Sequence, residues 1–128
     1  GNIVLKAENL PQLISASPAQ FGGPGDQWSP EDLLVASVTD CFILTFRAVA
    51  RASKLDWSNL EASAEGLLER VDRVTRFTKI TLSVTLTVPE GTDIGKAERL
   101  LEKAEAACLI TNSLTAETHL ETDVIIAT

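Results

Sequence analysis

The chain is poor in the residues from which metal centres and disulfide scaffolds are built. It has two cysteines, one histidine, and no tyrosine or methionine. No Cys-x-x-Cys pair occurs, and a single histidine with two distant cysteines does not make a convincing zinc site. We therefore expect neither a metal nor another cofactor.

Basic side chains are also scarce. Eleven Lys and Arg residues stand against 18 Asp and Glu residues, which gives a net charge of −7. This balance argues against nucleic acid and anionic membrane surfaces as partners. The first residues lack the charged segment and long apolar run of a secretion signal. With only two cysteines and no such signal, we expect a cytoplasmic protein without a structural disulfide.

The dominant feature is a long apolar segment, residues 29–55, with a helix start signal at its beginning. Ser29 is a good cap, Pro30 suits the first helical position, and two acidic residues follow in the first turn. Nearly every face of residues 33–50 is apolar, which is typical of a buried helix. Asp40 and Arg47 lie inside this stretch, so we interpret it as a core helix rather than a membrane span.

The length of this helix predicts a second copy of the chain. About 25 helical residues would span roughly 37 Å. A compact domain of this size has a radius of gyration of only about 14 Å. We therefore expect another copy to cover part of the helix.

The remaining segments predict an α+β fold in a single domain, residues 1–128, with a mostly antiparallel sheet that wraps helices on one side. The clearest strand has alternating apolar residues over 80–88, and Asp72-Arg73 is the expected turn of a long hairpin over 60–88. Gly66 within its first arm indicates a bulge or bend. The other predicted elements are strands over 3–8, 12–16 and 117–127, a helix over 94–109 capped by Thr92 or Asp93, and a plain Gly- and Pro-containing loop over 17–29.

The pattern alone favours packing roles for Cys41 and Cys108, since both fall on apolar faces of the two predicted helices and free cysteine packs as a small hydrophobe. His119 lies among polar residues of the last strand and is interpreted as a solvated surface histidine. It has no evident orienting partner in the sequence, so a Cys-His hydrolase is rejected.

The segment Ser29-Pro30-Glu31-Asp32-Leu33-Leu34-Val35-Ala36-Ser37-Val38-Thr39-Asp40-Cys41-Phe42 resembles the signature of the OsmC/Ohr family. Three further segments resemble family features in the same order. They are the Gly-rich lead-in at 21–25, a hairpin strand at 78–82, and the second-cysteine segment at 107–114.

The resemblance implies an OsmC-like fold, in which sheets wrap two long central helices of an intertwined homodimer. It also implies a thiol-dependent peroxidase that reduces small hydrophobic hydroperoxides, with Cys41 as the peroxidatic thiolate and Cys108 as the resolving thiol. An external dithiol would reduce the resulting disulfide. Glu31 corresponds to the family glutamate that holds an arginine near the reactive cysteine.

That arginine is the point at which this chain departs from the family, because no Arg precedes Arg47 and Lys6 is the only cation before it. A buried, mid-helix Cys41 is expected to have a raised pKa and to require a cation. The arginine could belong to an absent N-terminal segment, be replaced by Arg70, Arg73 or Arg76 of the hairpin, or be lost together with much of the activity.

Two other functions stay open from the sequence. One is a non-catalytic stress protein that binds a small hydrophobic ligand at its dimer interface, with cysteines for packing or redox sensing. The other is a purely structural dimer.

Overall fold

A computed structural model describes all 128 residues and divides them into two compact units, residues 1–36 and 37–128. The first unit contains two short antiparallel strands, β1 (Ile3–Leu5) and β2 (Leu13–Ser15). Both are shorter than predicted, and the turn between them has Asn9 at a positive φ of 64°.

The Gly-rich loop of the first unit satisfies its own backbone groups. A 3-10 turn at Ala19–Phe21 is followed by Gly22 and Gly23, whose N–H groups donate to the carbonyls of Ala19 and Pro18. A Cβ atom at Gly23 would overlap the carbonyl group of Ser17. The glycine is therefore required by close backbone packing, in agreement with a plain loop.

Helix α1 (Pro30–Ala52) starts in the first unit and continues into the second. Its predicted start is confirmed, since the Ser29 hydroxyl accepts a 3.0 Å hydrogen bond from the N–H of Asp32. The helix ends at Ala52, shortly before the connection expected at 55–59, because Lys54 turns to φ 56°. A left-handed residue just after a helix is a common way to stop it.

Within one chain α1 buries a stripe rather than its whole surface. Its fully buried residues, four apart in sequence, are Val38, Phe42, Phe46 and Ala50. Most other apolar residues of α1 are half-buried, and Leu44 is 54% exposed. The expectation of burial on all sides is thus wrong for a single chain, because a helix packed into a core on one side leaves its other side uncovered.

Length and composition alone would allow α1 to cross a membrane. Its buried stripe instead joins an aromatic cluster of the second unit. The ring of Phe46 stacks near Phe42 at 6.5 Å between centroids and meets Trp57 edge-on at 5.7 Å. The helix also carries Asp40 and Arg47 within its apolar stretch. One such helix with these features gives the structure no clear membrane-protein character.

The second unit contains a three-stranded sheet in the order β3 (Asn59–Val71), β4 (Val74–Val88) and β5 (Glu117–Ile126). The predicted hairpin is confirmed. Asp72 and Arg73 connect β3 to β4 with φ values of 50° and 69°, as expected for a two-residue turn that follows the twist of the strands. The predicted irregularity near Gly66 is a register shift between Leu67 and Leu68.

Strand β4 supplies one side of the core. The side chains of Ile80, Leu82, Val84, Leu86 and Val88 are all buried, as their alternation predicted. β3 pairs with β4 in the antiparallel sense, but β5 pairs with β4 in parallel, so the sheet is mixed. The parallel pair follows from a helical crossover between β4 and β5.

That crossover is helix α2 (Ile94–Ala106), whose start is confirmed by Asp93, which accepts a hydrogen bond from the N–H of Lys96. Its buried residues are Ala97, Leu100, Leu101 and Ala104. The predicted end at 109 is wrong, because the backbone leaves the helix after Ala106 and forms a separate turn, α3 (Leu109–Asn112).

We predict that Leu86→Ala lowers the free energy of unfolding by about 2–5 kcal/mol, because it opens a cavity beneath a fully buried strand position. Urea denaturation followed by circular dichroism measures the change. Ser83→Ala is the matched control on the exposed face of the same strand and should change stability by less than about 0.5 kcal/mol. Equal losses in the two variants would contradict the assigned faces of β4.

Candidate functional site

Cys108 lies in the break between α2 and α3, not on the buried stripe of α2. Its backbone is extended (φ −65°, ψ 111°), and the residue is 1% exposed. Its carbonyl accepts 3.0 and 3.1 Å hydrogen bonds from the N–H of Asn112 and the hydroxyl of Thr111. The Asn112 side chain also donates to the carbonyl of Ala106 at 3.0 Å, which satisfies an orphan group at the end of α2. Local polar residues therefore hold the turn that carries Cys108.

Cys41 is half-buried near the middle of α1. It lies in a shallow depression of about 510 Å³ on the second unit. The other residues that line this depression are Ser37, Asp40, Leu44, Thr45, Ala48 and Ile110. No lysine or arginine is among them, so the depression supplies no positive charge to the sulfur.

The structure brings the two cysteines together as free thiols. The Cys108 side chain and the backbone N–H groups of Ile110 and Leu109 lie near enough to Cys41 to lower its pKa. The hydroxyl of Thr45 is 3.8 Å from the Cys41 Sγ atom. Cys41 thus lies beside Thr45 of its own helix and shares the depression with Ile110 of α3.

Burial raises the pKa of Cys41. Four hydrogen-bonding groups lower it by more, so the pKa lies below its ordinary value. In order of effect they are the Ile110 N–H, the Cys108 side chain, the Thr45 hydroxyl and the Leu109 N–H. The sequence-based expectation of a raised pKa without a cation is therefore wrong for this chain. Helix α2 ends early, so the N–H groups of residues 109 and 110 are not used inside it.

Sequence reasoning missed these backbone donors because it extended α2 through residue 109. The sequence did contain a signal for another donor, the Thr45 hydroxyl. Thr45 stands four residues after Cys41, a spacing that places two side chains on the same face of a helix.

Glu31 belongs to the first unit, in the first turn of α1. Its Oε1 atom is buried and has no hydrogen-bond partner in the chain. The residue lines a cavity of about 230 Å³ together with Ser15, Pro18 and Phe21, and no arginine or lysine lines that cavity. The chain therefore provides the glutamate of the family motif without an arginine beside it.

His119 does not contribute to the depression around Cys41. Contrary to the expectation that it has no partner, its Nε2 atom is 3.2 Å from Glu117, two residues earlier on the same strand. Both side chains are largely exposed. No group of three or more His, Cys, Asp or Glu side chains is placed to hold a metal ion.

Comparison with known sequences links the chain to one family. The model of the OsmC-like protein family matches residues 23–123. The uncharacterized protein YmaD of Bacillus subtilis is 26% identical over 120 residues, which cover 91% of this chain and 79% of YmaD. The peroxiredoxin OsmC of Escherichia coli is 28% identical over 93 residues, which cover 73% of this chain and 64% of that protein.

Solved structures share the fold. An OsmC-like protein of unknown function from Vibrio cholerae superposes with a TM-score of 0.86 at 19% identity, over 95% of this chain and 84% of the other. An organic hydroperoxide resistance protein OsmC from Legionella pneumophila gives a TM-score of 0.73 at 23% identity, over 98% and 96% of the two chains. The α+β architecture described above is therefore the OsmC-like fold.

We predict that Leu109→Pro makes Cys41 less reactive, because proline lacks the N–H that Leu109 directs at the sulfur. Proline is well tolerated at the first position of a helix, and the extended backbone of Cys108 suits a residue before proline. Alkylation of Cys41 by iodoacetamide at neutral pH should slow roughly twofold to fivefold, as expected for one lost hydrogen bond of modest strength.

The control is Leu109→Ala, which keeps the N–H and changes only a side chain that is 67% exposed. Peptide mass mapping reports alkylation at Cys41 separately from Cys108. Identical rates in the proline variant and the alanine variant would show that this backbone donor does not act on the sulfur.

Proposed function

Because the chain belongs to the OsmC-like protein family, we propose that it is a thiol-dependent peroxidase that reduces organic hydroperoxides. The observation that carries the proposal is the proximity of two free thiols, one of which has a lowered pKa and lies in an open depression. A reactive cysteine needs thiolate character and access at once. Cys41 has both, whereas Cys108 is buried.

The proposed reaction begins with attack of the Cys41 thiolate on the distal oxygen of a hydroperoxide. The S–O bond forms as the O–O bond breaks, and the departing alkoxide takes a proton to become an alcohol. The Cys108 thiol then attacks the sulfur of the Cys41 sulfenic acid; the S–S bond forms as the S–O bond breaks, and the hydroxide takes the thiol proton and leaves as water. An external dithiol reduces the disulfide and restores both thiols.

The position of Cys108 supports its role as the resolving thiol. Disulfide formation requires two Cα atoms within about 7 Å and suitably directed side chains. Cys108 is near enough to the Cys41 side chain to lower its pKa, and it lies in a turn between two helices rather than inside one. The disulfide therefore needs rearrangement of a short turn and not the unwinding of α2.

The lining of the depression supports an organic substrate. Leu44, Ala48 and Ile110 provide apolar surface beside the sulfur, which favours the organic group of an alkyl or aryl hydroperoxide over hydrogen peroxide. Asp40 lies on the same depression. Its carboxylate would repel an anionic substrate, so we expect neutral hydroperoxides to react better than those with a free carboxylate.

The surface of α1 supports a homodimer. Its apolar side chains outside the buried stripe, such as the exposed Leu44, would lose contact with water if a second copy covered them. Arg70, Arg73 and Arg76 are exposed on the hairpin, so an arginine from a second copy stays an alternative source of charge for Cys41 or Glu31. We place this enzyme in the cytoplasm, where dithiol reductants keep cysteines reduced.

The alternative function, binding of a small hydrophobic ligand without catalysis, is favoured by one observation. The depression is apolar and large enough for a small organic molecule. In that case the cysteines would pack or sense oxidants without turnover. Catalytic turnover with a dithiol is the property that separates the two functions.

We predict that the protein consumes cumene hydroperoxide in the presence of a dithiol and that Cys41→Ser lowers the rate at least about a hundredfold, because a serine hydroxyl is a far weaker nucleophile at neutral pH. Cys108→Ser should keep a first turnover but lose most steady-state turnover, since the sulfenic acid then has no resolving thiol. Residual peroxide in timed samples gives both rates. Equal, slow loss in the wild-type protein and in Cys41→Ser would rule out the peroxidase function.

We predict that the protein has twice its chain mass of 13.7 kDa in solution, as measured by size-exclusion chromatography with light scattering. Leu44→Glu should raise the dimer dissociation constant at least about tenfold, because it places a charge in the apolar interface. Thr115→Glu adds the same charge at an exposed polar position and should leave the mass unchanged. A monomer at all concentrations, or dissociation only in the control, would contradict a dimer through α1.

A further inference from the structure

We propose that the hydroxyl of Thr45 donates a hydrogen bond to the Cys41 thiolate and so helps to activate the sulfur where no cationic side chain is in contact with it. This role rests on the proposed peroxidase function, which makes the Cys41 sulfur the reacting atom. It assigns to Thr45 a direct contact with that atom.

Thr45 is held beside the sulfur by the helix itself. The two residues are one turn apart on α1, and the Thr45 Oγ1 atom is 3.8 Å from the Cys41 Sγ atom. Both side chains are half-buried and line the same depression. Because the two residues belong to one helix, their separation does not depend on the oligomeric state. The β-branched threonine side chain also has few rotamers in a helix, so its hydroxyl is restrained before the substrate arrives.

The direction of this hydrogen bond follows from the protonation state of the sulfur. The thiol form of Cys41 can donate its proton to Oγ1 or accept one from the hydroxyl, but a thiolate has no proton, so Thr45 must then be the donor. A hydrogen bond to an ionised acceptor is roughly twice as strong as one between neutral groups. The contact therefore stabilises the thiolate more than the thiol.

The other groups around the sulfur include no cation, so a neutral hydrogen-bond donor is needed to stabilise the thiolate. The titratable groups that face Cys41 are Asp40 from α1 and Cys108 from the turn before α3, and neither is a cation. Asp40 opposes a second negative charge in the depression. The groups that favour the thiolate are thus the Thr45 hydroxyl, the Cys108 side chain and two backbone N–H groups. Among them, Thr45 offers a side-chain hydroxyl that a single substitution can remove with little change of volume.

A structural role for Thr45 would be different. A threonine inside a helix commonly directs its hydroxyl to the carbonyl four residues earlier, which satisfies the hydroxyl and leaves a neighbouring side chain unaffected. In that case the methyl group and the volume of the residue would matter, and the hydroxyl would have no influence on the sulfur. Thr45→Val and Thr45→Ser separate the two roles, because valine keeps the volume and serine keeps the hydroxyl.

The experiment measures the pH dependence of Cys41 alkylation by iodoacetamide in the folded protein, with peptide mass mapping to exclude signal from Cys108. Thr45→Val should shift the midpoint to higher pH and slow alkylation at neutral pH about threefold to tenfold, the loss expected for one hydrogen bond of ordinary net strength. Thr45→Ser should react within about twofold of the wild-type protein. In denaturant the three proteins should react alike, which confirms that the difference belongs to the folded structure.

A Thr45→Val midpoint equal to that of the wild-type protein would overturn the proposal, and so would equal shifts in the valine and serine variants. Alkylation needs no hydroperoxide, so the test is separate from that of the proposed function. A shifted midpoint in a protein that never consumes hydroperoxide would support the Thr45 contact and reject the peroxidase. Normal peroxidase turnover with an unshifted midpoint would support the peroxidase and reject the Thr45 contact.

Discussion

The stop of α2 at Ala106 is the constraint on which the candidate site depends. If the helix continued to residue 109, the N–H groups of Leu109 and Ile110 would be used inside it and Cys108 would point along its buried stripe. Because the backbone leaves the helix, Cys108 becomes extended and the next two N–H groups are free to reach Cys41. Asn112 and Thr111 stabilise this turn through the carbonyls of Ala106 and Cys108. A few polar contacts at the end of α2 thus place Cys108 and two backbone donors at a candidate site whose other cysteine, Cys41, is on α1.

A thiolate at Cys41 must be stabilised without a lysine or arginine of the same chain beside it. The protein is acidic, the Cys41 thiol is half-buried, and a carboxylate lies on the same depression. Each of these features opposes a thiolate. Several neutral donors converge on the sulfur instead, and together they lower the pKa of Cys41 against the effect of burial. Hydrogen bonds to an anion are stronger than those between neutral groups, so a small set of them can provide part of the thiolate stabilisation that a guanidinium would give.

The sequence predicted what depends on local chemistry and missed what depends on contacts between distant segments. The Ser29 and Asp93 caps, the two-residue turn between β3 and β4, and the alternation along β4 each follow from residues close together in the chain. The parallel direction of β5 and the early end of α2 do not, because the apolar spacing over 94–109 fits an uninterrupted helix equally well. The family motif located both cysteines. It could not show which donors reach the sulfur, because every residue except proline has a backbone N–H group and the residue type does not show where that group points.

The central claim is that Cys41 and Cys108 work as a pair, and one measurement tests it most directly. The reduced protein is treated with one equivalent of cumene hydroperoxide, quenched with an alkylating agent, and analysed by intact and peptide mass spectrometry. The account predicts the loss of two hydrogen atoms per chain and a disulfide that links the Cys41 and Cys108 peptides of the same chain. A protein that stays fully alkylatable at both cysteines, or one that forms disulfides only between chains, would contradict it.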